Sequence, residues 1–192
     1  MDTGVLALRV VVGLLLVGHG AQKLFGWFGG GGLTATAWFF RSLGYRPSRL
    51  MAGLAGRAEV IGGAALAVGL GTPLASAAVI GTMLNAVVAV HKRHGLWAID
   101  GGYEYPLVMA TAAATLGFTG AGEASLDATL RLSYGSVESG LFAVALGLVT
   151  GSGVLLSRVA ARSEAGLASS MSSIDRGGGL VFNETGKDND AR

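Results

Sequence analysis

Residues 5–28 read VLALRVVVGLLLVGHGAQKLFGWF. About 20 apolar residues in helical form cross a bilayer, and the first 20 of this run qualify. His19, Gln22 and Lys23 nevertheless stand near its end, at i, i+3 and i+4, so they share one helix face. An ionisable side chain at hydrocarbon depth costs roughly 2.5–3.5 kcal/mol on insertion scales, and such residues turn towards protein or a wet cavity. The run therefore predicts a membrane helix whose polar face needs partners from elsewhere in the chain. With no basic start before it and no A-x-A pattern after it, it reads as a retained anchor and not as a signal peptide.

Composition agrees with a membrane class. Hydrophobic residues make up 51% and charged residues 14% of 192, with a mean hydropathy of +0.56. Cysteine is absent, which excludes disulfides, thiolate metal sites and thiol exchange by this chain. A net charge of +2 does not point to nucleic acid. Many of the 33 glycines lie inside apolar runs, where small residues let helices approach closely.

Four further apolar segments follow the first. Residues 26–50 mix Trp27, Phe28, Trp38, Phe39, Phe40 and Tyr45 with Arg41, Arg46 and Arg49, a headgroup-zone pattern, and 34–43 predicts a short helix lying in the membrane plane. Their glycine run lacks the GK[ST] and GxGxxG signatures of phosphate loops and reads as a turn. Segment two, 51–70, carries Arg57 and Glu59, about 200° apart on a helix; the short stem of Glu59 makes it the one to face inward. Segment three, 74–90, has Asn85 as its strongly polar group. His91 and His94 then sit in a basic loop with no third ligand in view, so no metal is expected. Segment four opens on Glu104, Tyr105 and Pro106, proline suiting a first turn, and runs to Phe118. Segment five, 137–156, has Gly147 and Gly151 in GxxxG spacing and reads as a packing helix. Arg9 reads as a snorkelling interface anchor, and 158–192, rich in Ser, Gly and Asp, as a disordered tail.

The expected fold is therefore all-α and polytopic: a four-helix transmembrane bundle over residues 1–133, an additional transmembrane helix over 134–157, and a disordered cytoplasmic tail over 158–192. Lys and Arg cluster in the first and third loops and at the start of the tail, which sets the N-terminus outside and the C-terminus in the cytoplasm. That topology brings His19, Gln22, Lys23, Arg57, Glu59, Asn85, His91 and Glu104 towards one membrane face. They are the candidate lining of a polar intramembrane pocket, with Lys23 paired to Glu59 and the opposite half filled by Leu, Val, Ala and Gly.

The motifs HGAQKLFGWFGG (19–30), TAWFF (36–40), the intramembrane Glu59 and DGGYEYP (100–106) together resemble the DoxX family of bacterial membrane proteins over about residues 5–120. The resemblance implies a redox or oxidative-stress setting. The family takes its name from the small membrane subunit of a quinone-reducing thiosulfate oxidoreductase. A mycobacterial member is associated with a membrane complex linking superoxide dismutase and a sulfurtransferase.

Three functions follow as expectations. The first is a redox-linked subunit of the plasma membrane that takes a quinone in the polar pocket. Electrons would come from a partner, since no haem, flavin or nicotinamide motif is present. The second is a non-catalytic scaffold for soluble redox enzymes on the cytoplasmic side, and the third a carrier of small solutes or lipids. The lipid bilayer and a homo-oligomer complete the expected partners. Nothing in the residues decides whether the chain is an enzyme.

Overall fold

The computed structural model describes residues 2–177, and no strand occurs among them. Its helices are α1 (Asp2–Phe25), α2 (Gly32–Ser42), α3 (Ser48–Val68), α4 (Thr72–Ala86), α5 (Glu104–Thr119), the single turn α6 (Leu126–Thr129) and α7 (Val137–Gly177). A π turn, Val87–His91, prolongs α4. Four stretches are long and apolar enough to cross a membrane: Thr3–Phe25, Ser48–Val68, Thr72–His94 and Val137–Glu164. The 16 residues of α5 reach only about 24 Å at 1.5 Å per residue.

Large apolar side chains face outward all round these helices. Val11 and Leu14 on α1, Ile61 on α3, Val108 on α5 and Val149 on α7 are each more than half exposed. A soluble surface does not carry such a belt, whereas hydrocarbon accepts it, and the chain is a multi-pass membrane protein. Inside, Leu16, Leu66, Val79, Met83, Met109 and Leu116 form the core between α1, α3, α4 and α5.

Small residues set the closest helix pairs. α1 packs most extensively on α3, where a Cβ added to Gly63 would stand 2.6 Å from the Gly13 carbonyl oxygen. α7 packs on α4 in the same way: a Cβ on Gly147 or Gly151 would come within 2.8 or 2.9 Å of the Ala77 or Gly81 carbonyl oxygen. The GxxxG reading of segment five is thus realised as contact with α4.

Long-range contacts fix which helix ends lie together. At one end Lys23 meets Glu59, Tyr45 meets Asn85, His19 meets Tyr105 and Arg158 meets Leu43. At the other, Arg9 meets Ala67 and Ala124, Asp127 meets Thr72, and Ser139 meets Gly117. The five long helices α1, α3, α4, α5 and α7 therefore alternate in direction, and α2 lies at the Lys23 end.

Three expectations change. Arg9 does not snorkel outward: it is 2% exposed, its guanidinium donating to the carbonyl oxygens of Ala67, at 2.6 Å, and of Ala124. The half opposite Lys23 is consequently not purely apolar. Asp127, 3% exposed, accepts from the Gly71 and Thr72 amides and the Thr72 hydroxyl, so it caps α4 across 55 residues of sequence. Carbonyls and amides left bare at helix ends supply the partners that the sequence pattern conceals. Finally, the tail expected to be disordered from 158 is helical through Gly177. Arg158 Nε and Arg162 Nη2 hold its first turns to the Leu43 carbonyl oxygen, at 2.6 and 2.5 Å. The remainder of that expectation, 178–192, lies outside the described residues.

Candidate functional site

Glu59 sits mid-way along α3, one turn beyond Gly56, on the face turned to α1. It is 4% exposed, and its Oε2 lies 2.5 Å from Lys23 Nζ. A carboxylate withdrawn from solvent to this degree needs a cation and hydrogen bonds to stay charged, and Lys23 supplies both. Oε1 has no hydrogen-bond partner among the described residues, yet it is not sealed from the space beside it. The pair is thus a half-used donor and acceptor set.

That space is a cavity of about 510 Å³. Its walls come from α2 (Phe39, Phe40), the α2–α3 connection (Leu43, Tyr45), α3 (Met51 to Glu59), α4 with its π turn (Ala78 to His91) and α7 (Thr150, Gly151, Val154), with Lys23 reaching in from α1. Small residues of α3 and α4, Ala55, Ala58, Ala78, Gly81 and Ala86, leave the volume empty; phenyl rings close it from α2. The size is within the range of small-molecule pockets, and a largely apolar wall with a few convergent polar groups is their usual composition.

A second polar set lies across the cavity. Tyr45 is fully buried, and its hydroxyl donates to Asn85 Oδ1 at 2.9 Å, while Asn85 Nδ2 donates to the carbonyl oxygens of Gly81 and Gly151. Asn85 thereby ties α4 to α7 and to the α2–α3 connection. Arg158 stands over the Tyr45 ring at 5.5 Å from its centroid, and Phe40 packs on the ring at 5.1 Å. Burial pushes the Tyr45 phenol above its ordinary range, against the opposing pull of Arg158 and Arg162. It therefore stays a donor at neutral pH.

Of the eight residues expected to share a pocket, Lys23, Glu59, Asn85 and His91 line this cavity. His91 also bonds through Nδ1 to the Gly101 carbonyl oxygen at 2.7 Å. His19 packs on Tyr105, ring centroids 5.1 Å apart, and the Tyr105 hydroxyl is buried without a partner among the described residues. The other three lie outside the cavity wall. Gln22 donates to the Phe28 carbonyl oxygen and shapes the turn after α1. Arg57 is exposed, as its position about 200° from Glu59 requires. Glu104 accepts from the Ala98 amide at 2.9 Å and braces the loop before α5.

Sequence reasoning missed Tyr45, Thr82 and Thr150. Tyr45 is masked by neighbouring arginines that make the stretch look like a headgroup belt. Thr150 stands beside Gly151 on a helix read for packing alone; its place next to a GxxxG glycine that meets α4 was the available signal.

No curated protein and no solved structure is significantly similar to the chain. Residues 4–92, from α1 to the end of the π turn, match the DoxX family model. This stretch holds Lys23, Glu59, Tyr45 and Asn85, so the matched region carries most of the cavity wall. Over that stretch the chain is similar to the DoxX family.

Proposed function

We propose that this protein is a plasma-membrane subunit of a redox or oxidative-stress assembly and that its cavity binds a lipid-soluble carrier of the quinone class. The observation that carries the reading is the Lys23–Glu59 pair opening on a largely apolar cavity of about 510 Å³. A quinone needs a flat apolar slot, a donor for its carbonyl when oxidised and an acceptor for its hydroxyl when reduced. Lys23 Nζ and Glu59 Oε1 are such a donor and acceptor. Five spans, with the N-terminus outside and the C-terminus cytoplasmic, fit both the alternation of the helices and the arginine-rich loops at the Lys23 end.

The test is extraction of small molecules from protein purified in mild detergent. A quinone recovered at near one per chain from wild type, and at less than a tenth of that from Glu59→Gln, is the expected result. Equal recovery from both proteins, or none from wild type after quinone is supplied, refutes the reading.

One observation favours a scaffold role beside it: α7 runs on to Gly177, well past the apolar residues 137–156 that open it. On this reading the extension is a cytoplasmic arm for soluble redox enzymes. Their loss on truncation after Glu164, with quinone retained, would assign the two roles to different parts of the chain.

A further inference from the structure

The cavity wall is incomplete on one side. α3 and α7 both pack on α4 and do not pack extensively on each other. Between them the floor is α4, with Ala78 and Gly81. The large apolar exposed members of the wall border this gap: Phe39 is 47%, Leu54 49% and Val154 38% exposed. Leu54 and Val154 belong to helices long enough to span the membrane, so their exposed faces look onto hydrocarbon. An opening edged by these side chains faces the bilayer laterally.

At the closed end the charges cancel. Lys23 uses one of its ammonium hydrogens on Glu59 and is 28% exposed, while Glu59 Oε1 is unbonded. A phosphate head would find the cation already paired and a carboxylate beside it. A neutral ring bearing a hydroxyl or carbonyl can donate to Oε1 or accept from Nζ with no new charge to bury. The two ends of the cavity thus ask for one kind of molecule, neutral and hydrogen-bonding at its head and apolar along its length.

We infer that the cavity is loaded sideways from the bilayer, through the gap between α3 and α7, by a neutral ring amphiphile. Its head rests on Lys23 and Glu59, and its tail leaves over Leu54 and Val154. This rests on the carrier reading above and adds the entry route and the requirement for a tail.

Because the chain has no cysteine, single thiols can be placed without a background. Leu54→Cys and Val154→Cys edge the gap, and Ile61→Cys is a control on α3, 65% exposed and outside the cavity wall. Each full-length variant is put in lipid nanodiscs and modified with a bulky maleimide. Binding of an isotope-labelled decyl benzoquinone, and of the same ring without the tail, is measured at equilibrium; an unchanged thermal midpoint confirms that each labelled protein is folded.

Modification at Leu54→Cys and at Val154→Cys should weaken the tailed quinone at least ten-fold, and modification at Ile61→Cys less than two-fold. The tailless ring should lose less than three-fold at any of the three. Undiminished binding of the tailed quinone to the Leu54 and Val154 adducts overturns lateral loading while leaving the carrier reading in place. Failure of wild type to bind either compound, or full binding by Glu59→Gln, overturns the carrier reading and this inference with it.

Discussion

Removing Lys23 is the most severe single change the site admits. Glu59 is 4% exposed and Oε2 has the ammonium at 2.5 Å as its partner. In Lys23→Met the carboxylate stays buried with nothing to answer it, and breaking a buried pair from one side costs about 3–5 kcal/mol. The converse change is milder. In Glu59→Gln the residue left behind is a lysine already 28% exposed, whose long stem lets the ammonium reach the headgroup zone; the loss is one charge-assisted hydrogen bond, about 1.5–3 kcal/mol. The double variant removes both charges, and replacement of a buried pair by neutral groups is often close to neutral. The three variants therefore form a strongly non-additive cycle, with a coupling energy of about 4–8 kcal/mol when the double variant is near neutral. For a chain of this size one kcal/mol moves the melting midpoint by about 2–4 °C. Helix loss followed by circular dichroism in one detergent at one scan rate should put Lys23→Met about 10 °C below wild type. Glu59→Gln should fall between, and the double variant should recover part of the loss. A Lys23→Met no worse than Glu59→Gln, or strictly additive effects, would refute the account of a carboxylate held in the interior by that one cation.

Three further outcomes follow from the same contacts. Arg9→Leu strands the carbonyl oxygens of Ala67 and Ala124 and leaves Asp127 without its nearby positive charge. It should lower stability by about 2–4 kcal/mol in the same thermal assay, where a snorkelling anchor would cost under about 1 kcal/mol. Gly151→Leu forces a side chain into the Gly81 backbone and Leu84. Overpacking of this kind costs about 1–3 kcal/mol, and since Gly151 lines the cavity, quinone retention should fall with it. Tyr45→Phe keeps the ring under Arg158 but loses the bond to Asn85, a change of about 1 kcal/mol by the same measurement.

What was legible in the residues follows from how each signal is encoded. Helix positions are written in runs of apolar residues closed by Gly and Pro: the break expected between 70 and 74 falls two residues earlier, at 69–71, and α5 starts at Glu104 where the sequence places it. The Lys23–Glu59 pair was legible because both residues are expensive in hydrocarbon and few neighbours could answer them. Arg9 is equally expensive, but its partners are the backbone oxygens of Ala67 and Ala124, which no side-chain pattern reveals. Tyr45 fails for a related reason. Its burial depends on Arg158 and Arg162 folding back onto the Leu43 carbonyl, a contact across more than a hundred residues made by a segment whose composition argues for disorder. The cavity is harder still to read, because it consists of what is missing: Ala and Gly at 55, 58, 78, 81 and 86 satisfy close packing and empty volume equally well in one dimension. Only the separate docking of α3 and α7 on α4 decides between them. Polar residues in a membrane chain thus announce that an interior exists, while small residues determine whether that interior is filled by protein or left open to a ligand.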